Sequence, residues 1–140
     1  MTFLAQLVQN FADIPVGGLT HLYFSFGYIT PGDFNVAPMD NLPLTLFSDL
    51  TDMKKKNSGL KAVVALGGWT FNDNGTTTQP VFSDMVSTQQ NRAKFITNLL
   101  SFLREFAFDG VDFDWVCSAV HGREAIPNAK MILGISWCYG

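Results

Sequence analysis

The stretch that decides the fold is FDGVDFDWV at residues 108–116. Side chains on a strand alternate between its two faces, so Asp112, Asp114 and Val116 share one face. The intervening residues are apolar and form a face that suits packing under helices. Two carboxylates about 7 Å apart on one face of a strand are costly to bury. They therefore either lie at an exposed strand end or line a polar cleft at the carboxyl edge of a parallel sheet.

The rest of the chain alternates between strand and helix patterns. Apolar runs bounded by Gly or Pro indicate buried strands, and apolar residues at helical intervals indicate helices. Ser87 and Gln90 have the spacing of a capping box at the start of the longer helix. The predicted strands are residues 19–29, 61–69, 108–116 and 130–139, and the predicted helices are residues 45–57 and 88–106. This order predicts right-handed βαβ crossovers and a parallel α/β sheet in one domain, residues 1–140.

The composition restricts the function classes. Hydrophobic residues make up 47% of the chain and charged residues 15%, which is enough apolar content to build a core. Nine basic against twelve acidic residues give a net charge of −3, so we expect no nucleic-acid partner. No apolar run approaches the roughly 18 residues of a membrane span, so we expect no membrane partner either.

The amino-terminal segment carries no clear targeting signal. It lacks a basic region, and its apolar positions 3, 4, 7, 8 and 11 fit a short amphipathic helix better than a signal peptide. If the protein is secreted, we expect the targeting segment to lie outside this chain.

The 108–116 stretch resembles the signature of family 18 glycoside hydrolases, the chitinases, whose fourth strand reads Asp-Gly-x-Asp-x-Asp-x-Glu. Residues 66–69 (LGGW) resemble the family's Ser-x-Gly-Gly motif on its third strand, with Ala65 where Ser is usual. Residues 21–26 resemble its second strand. The resemblance covers about residues 13–115, and fungal-type chitinases are the nearest subgroup. It implies a partial (β/α)₈ TIM barrel, with parallel strands alternating with helices over roughly half a barrel.

The resemblance also implies hydrolysis of β-1,4-linked N-acetylglucosamine by a substrate-assisted, retaining mechanism. The family's Glu protonates the glycosidic oxygen while the acetamido oxygen of the substrate attacks the anomeric carbon. Asp114 matches the aspartate that orients the acetamido group, and Asp112 matches its coupled partner. Asp109 falls on the other face of the strand from Asp112 and is expected to fix the turn with Gly110.

Further residues are implied in sugar binding, with chitin or chito-oligosaccharides as partners. Trp69 is expected to stack on a sugar, Phe26 to line the cleft and Gly68 to belong to the substrate-binding segment. Core packing explains either aromatic residue equally well on its own. The histidines and cysteines lack zinc-type spacing, and Gly67 and Gly68 lack the neighbouring Lys and Ser/Thr of a phosphate loop. We therefore expect no metal and no cofactor.

The chain departs from the family pattern at Val116, which stands where the catalytic Glu is expected and has no proton to donate. Loss of a general acid typically lowers the rate by about 10²–10⁴-fold. We therefore expect this chain to be inactive as a chitinase. The alternative is a catalytically silent, chitin-binding protein that resembles a lectin.

The resemblance returns at residues 126–140, which are similar to a later strand of the family, its seventh. We therefore expect the first, fifth, sixth and eighth barrel strands to be missing. Two explanations remain open: a spliced or mispredicted chitinase gene product, or a genuinely shortened and silent relative. An open sheet exposes its edges, so we also expect marginal stability or self-association. The parent family implies an extracellular location.

Overall fold

The structure is a computed structural model that describes residues 2–5, 11–39 and 42–115. The strands in these ranges are β1 (Thr2–Ala5), β2 (His21–Ile29), β3 (Val36–Pro38), β4 (Lys61–Gly67) and β5 (Gly110–Asp114). The α-helices are α1 (Thr45–Thr51), α2 (Trp69–Asn72), α3 (Val81–Ser87) and α4 (Gln89–Glu105). The 3₁₀ turns include Phe11–Asp13, Val16–Gly18 and Asp52–Lys55. Val116 and the predicted strand at residues 130–139 lie outside the described residues.

The sheet is mostly parallel and alternates with helices, as predicted. Strands β1, β2, β4 and β5 pair in parallel in that order, and β3 pairs with β2 as an antiparallel addition. Helix α1 lies between β2 and β4 in the chain, and α2, α3 and α4 lie between β4 and β5. Parallel neighbours need such crossovers, because a tight hairpin cannot join them. The four parallel strands correspond to roughly half of a (β/α)₈ barrel.

The predicted amphipathic helix at the amino terminus is wrong. Thr2–Ala5 is a strand, paired with β2 from Thr2↔His21 to Ala5↔Phe24. The expected absence of a first barrel strand is therefore wrong as well. Strands of parallel sheets read as short apolar runs, and periodicity alone does not distinguish such a run from a helix segment. Pairing with β2, which lies far along the chain, decides the structure.

Other element boundaries differ locally from the prediction. The helix predicted over residues 45–57 consists of α1 followed by a 3₁₀ turn. The N-cap of α4 is Thr88, whose side-chain oxygen accepts a hydrogen bond from the Asn91 N–H at 3.0 Å. The capping box predicted at Ser87 is therefore one residue too early, because Ser87 is the last residue of α3.

The core fills the space between one face of the sheet and the helices. Phe47 of α1 is fully buried, and the centre of its ring lies 4.7 Å from that of Phe24 on β2. Phe102 of α4 meets the same ring edge-on at 4.8 Å, and Phe106 and Phe108 complete the cluster. These contacts fix the helix-facing side of the sheet, so its opposite side is free to carry a site.

That opposite side is defined by the register of the strands. Ser25 of β2 pairs with Ala65 of β4, and Ala65 pairs with Asp112 of β5, so these three residues form one row. Asp114 pairs with Gly67 and lies one step closer to the carboxyl edge. Alternation along β5 then places the two aspartates on the same face as Ser25 and Ala65.

Candidate functional site

The candidate site is built around the paired carboxylates of β5. Asp112 and Asp114 are both half-buried, and they share a face about 7 Å apart along the strand. The pKa of Asp114 lies above its ordinary value because burial disfavours the charged form, and the negative charge of Asp112 adds to this effect. A carboxyl group of this kind can take up a proton more readily than a solvated one. It can therefore donate a hydrogen bond when protonated and accept one when charged.

Two glycines bring the end of β4 close to Asp114. Gly67 has a φ of +107°, and a Cβ atom on it would lie 2.5 Å from the backbone oxygen of Asp114. Gly68, with a φ of +87°, donates its N–H to that same oxygen at 3.0 Å. The positive φ angles and the close approach of Gly67 to the Asp114 oxygen favour glycine at these positions. The Gly-Gly pair thus sets the position of the carboxyl end of β5.

Asn72 is a site residue that the sequence analysis missed. It is 5% exposed on α2, and its Nδ2 donates to the carbonyl oxygens of Gly68 at 2.7 Å and of Asp114 at 3.2 Å. The Asn72 side chain therefore ties the turn after β4 to the end of β5. Its Oδ1 atom is buried and has no hydrogen-bond partner within the described residues.

The predicted aromatic contacts lie beside this turn. Trp69 begins α2 directly after Gly68 and is 72% exposed. An exposed indole offers an apolar face on which a sugar ring can stack. Phe26 is half-buried, and its ring packs against Gly68, where an added Cβ would lie 3.0 Å from two ring atoms. The structure thus brings Trp69, Phe26 and Gly68 together next to Asp114.

The backbone of Gly68 is occupied by internal hydrogen bonds. Its N–H bonds to Asp114, and its carbonyl oxygen accepts from the backbone N–H and from the side chain of Asn72. A contact between Gly68 and a sugar would therefore be made by its Cα atom. The role predicted for Gly68 stays a prediction of packing against the ligand.

Asp109 lies at the other end of β5, away from the pair. Its carboxylate accepts hydrogen bonds from the Ala62 N–H at 2.9 Å, from Lys54 at 3.0 Å and from Lys61 at 3.4 Å. Burial acts to raise the pKa of Asp109, but the Ala62 N–H and the two lysines outweigh it and hold the pKa below its ordinary value. Asp109 thus fixes the start of β5, whose first residue is Gly110, against the start of β4.

Two further features of the described ranges bear on the chemistry. Residues 2–5, 11–39 and 42–115 contain no group of three or more His, Cys, Asp or Glu side chains arranged to hold a metal ion. In the same part of the chain, no helix has the length and apolarity that crossing a membrane requires.

Solved structures of chitinase-related proteins have the same fold. The chain matches the crystal structure of the Ostrinia furnacalis group IV chitinase with a TM-score of 0.63 and 31% identity, over 76% of this chain and 28% of that one. It matches human YKL-39, described as a pseudo-chitinase with retained chitooligosaccharide binding properties, with a TM-score of 0.64 and 27% identity, over 81% of this chain and 31% of that one. The predicted partial TIM barrel is thereby confirmed.

Sequence comparison agrees with the structural comparison. Chitotriosidase-1 of Mus musculus is 38% identical over 118 residues, which are 84% of this chain and 24% of the relative. The chain thus spans about a quarter of the length of that relative. The relatives include a probable chitinase of Penicillium expansum as well as mammalian and insect proteins, so no subgroup is singled out and the fungal type stays a prediction. The family model described as "Glycosyl hydrolases family 18" matches residues 4–131. The chain therefore belongs to family 18 of the glycosyl hydrolases.

Proposed function

We propose that this chain carries the sugar-binding part of a chitinase-type site and binds β-1,4-linked N-acetylglucosamine oligomers. The observation that supports this most strongly is the Asp112–Asp114 pair at the carboxyl edge of the sheet, beside an exposed Trp69. A carbohydrate cleft needs such a combination, because an aromatic face covers the apolar side of a sugar and carboxylates accept hydrogen bonds from its polar groups.

Each residue of the cleft has a distinct role in this proposal. Trp69 stacks on one sugar ring, and Phe26 lines the floor of the cleft beside Gly68. Asp114 accepts a hydrogen bond from the acetamido N–H of the bound sugar. Asp112 adjusts the protonation of Asp114 through its own charge.

The reaction that the family resemblance implies for such a site is substrate-assisted and retaining. In the family reaction an acid protonates the glycosidic oxygen, the acetamido oxygen forms a bond to the anomeric carbon as the glycosidic bond breaks, and water later opens the ring so formed. Val116 stands at the position of that acid and has no proton to donate. We therefore propose that this chain binds chito-oligosaccharides and does not hydrolyse them.

Two origins fit such a chain: an inactive product of a chitinase gene, and a silent chitin-binding protein. The likeness to YKL-39, a pseudo-chitinase with retained chitooligosaccharide binding, favours it. In either case the proposed location is extracellular and the proposed unit is one domain, residues 1–140. The genomic DNA around the codons for Trp115 and Val116 distinguishes the two, because a skipped stretch encoding Glu-Tyr-Pro would indicate a gene product that has lost an internal segment.

Self-association through strand edges is part of the same proposal. Within the described residues, β1 and β5 are the ends of the parallel sheet order and each pairs with one strand. Unpaired strand edges favour pairing with another copy. Sedimentation of the purified chain should show dimers or larger species at micromolar concentration, whereas a monomer with a sharp, cooperative thermal transition would contradict this part.

Retention on chitin beads tests the binding proposal. The chain should be retained, and both Trp69→Ala and Asp114→Ala should abolish retention. Ile96→Ala is the matched control, because Ile96 is also exposed but lies on α4. Equal retention of all variants would show that the cleft is not the binding surface, and no retention of the unmodified chain would contradict the proposal itself.

A further inference from the structure

Ser25 carries a buried hydroxyl group that nothing in the proposed mechanism uses. Ser25 is 5% exposed on β2, and its Oγ atom has no hydrogen-bond partner within the described residues. A buried hydroxyl without a partner costs free energy, so native structures almost always supply one. The partner has to come from the face of the sheet that Ser25 shares with the candidate site.

The row that contains Ser25 leads directly to Asp112. Ser25 pairs with Ala65, and Ala65 pairs with Asp112, on three adjacent strands. Neighbouring strands lie about 4.8 Å apart, so the Cα atoms of Ser25 and Asp112 are about 10 Å apart. Both side chains rise from the same face of the sheet and can lean toward each other over the row, but a direct hydrogen bond of about 2.8 Å does not span the remaining gap. Ordered water can link polar groups across such a gap.

Ala65 makes this path available. It lies between the two residues in the row, is 3% exposed, and carries a methyl group that neither fills the gap nor offers a hydrogen bond. The family usually has a serine at this position, whereas here the serine is on the neighbouring strand and in direct register with it. The row thus keeps one hydroxyl group, displaced by one strand.

We propose that Ser25 is a positioning residue for Asp112, and that its hydroxyl donates, through ordered water above the Ala65 methyl group, to the Asp112 carboxylate. This inference rests on the proposed function, in which Asp112 adjusts the protonation of Asp114. The negative charge of Asp112 adds to the raised pKa of Asp114, so a group that holds the Asp112 carboxylate acts on Asp114 as well.

A test has to distinguish Asp112 from the other ionisable side chains on this face of the sheet. By strand parity they are His21 and Tyr23 on β2, Lys61 on β4, and Asp114 on β5. His21 and Lys61 lie at the amino-terminal ends of their strands, four residues away from Ser25 and Ala65 respectively. Among the residues that the structure describes on this face, Asp114 is therefore the nearest charged neighbour of Asp112, and both carboxyl signals have to be followed together.

Carboxyl-carbon NMR titration of the full chain without sugar tests the proposal. Ser25→Ala should raise the pKa of Asp112 by about half a unit to one unit, because a hydrogen bond to the charged form is lost. Ser25→Cys, which keeps the shape but donates weakly, should give a smaller rise. In the Ala65→Ser background, where a hydroxyl lies next to Asp112, Ser25→Ala should have little further effect.

Asp109 serves as the internal control, because it lies at the other end of β5 and should titrate identically in all variants. An Asp112 pKa that moves by less than about 0.1 unit in Ser25→Ala would overturn the proposal. An equal movement of Asp109 would do so too, since it would indicate a general structural change. Because no sugar is present, a failure here is separate from a failure of sugar binding, which would contradict the proposed function alone.

Discussion

The replacement Asp109→Ala should destabilise the fold strongly although Asp109 lies outside the proposed cleft. It removes the charged acceptor of the Ala62 N–H at 2.9 Å and the ion pairs with Lys54 and Lys61. A hydrogen bond to a charged group contributes about 1.5–3 kcal/mol. The two partly exposed ion pairs add about 0–1 kcal/mol. We therefore expect the free energy of unfolding to fall by about 1.5–4 kcal/mol.

The stability lost in Asp109→Ala should depend on pH in the direction set by the lowered pKa of Asp109. The pKa of Asp109 is lowered in the folded state, so its stabilisation is present above the unfolded value of about 3.9 and is lost as the pH falls through the folded-state pKa. Urea unfolding followed by tryptophan fluorescence should show the full difference between the natural chain and Asp109→Ala at pH 7. The difference should shrink at the most acidic pH at which both chains still fold.

Asp33→Ala is the matched control for this experiment. Asp33 also pairs with a lysine, Lys94 at 3.2 Å, but its side chain is 77% exposed. Such a pair contributes about 0–1 kcal/mol, so the control should lose well under 1 kcal/mol at any pH. The reasoning fails if Asp109→Ala loses no more than Asp33→Ala, or if its loss is the same at pH 7 and in acid.

Three further replacements test the site itself. Gly67→Ala should cost about 2–4 kcal/mol in urea unfolding, because of its positive φ and the 2.5 Å approach to the Asp114 oxygen. Gly17→Ala, which meets no atom within 4 Å, should cost under 1 kcal/mol, and equal losses would contradict the close-approach argument. Asn72→Ala should cost about 1–3 kcal/mol and shift the amide NMR signals of Gly68 and the residues of β5; unchanged signals would contradict its bridging role. Asp114→Asn should stabilise the chain at pH 7 by about a few tenths of a kcal/mol after allowance for solvent screening. The pKa of Asp114 is higher in the folded than in the unfolded chain, so the protonated carboxyl favours folding at low pH and this stability is lost as the pH rises. The amide of Asn stays neutral at every pH and avoids that loss. That gain should vanish near pH 3, and a loss of stability at pH 7 would contradict the direction of the shift.

The order of the main strands and the position of the carboxylate pair could be predicted because they depend on local patterns. Apolar runs of strand length, bounded by Gly or Pro, identified β2 and β4. Alternation along residues 108–116 placed Asp112 and Asp114 on one face of a strand. These features need no knowledge of what each residue contacts.

The missed features depend on contacts between distant parts of the chain. Asn72 lies in a polar stretch that predicts a loop, and its bond to the Asp114 carbonyl spans 42 residues. Lys54 has the appearance of a solvated helix end, but it pairs with Asp109, 55 residues away. The strand β1 was predicted as a helix because its identity depends on pairing with β2. The spacing of apolar residues along a short stretch does not show which distant residue a side chain will contact.

The most direct test of the central claim is to incubate the purified chain with chitotetraose and follow both partners by NMR. The account predicts shifts of the Trp69 indole and Asp114 carboxyl signals as sugar is added, with no new reducing ends over days. Release of reducing ends that disappears in Asp114→Ala would contradict the claim that Val116 leaves the site silent. Absence of any shift at either residue at millimolar sugar would contradict the claim that the β5 carboxylates belong to a sugar cleft.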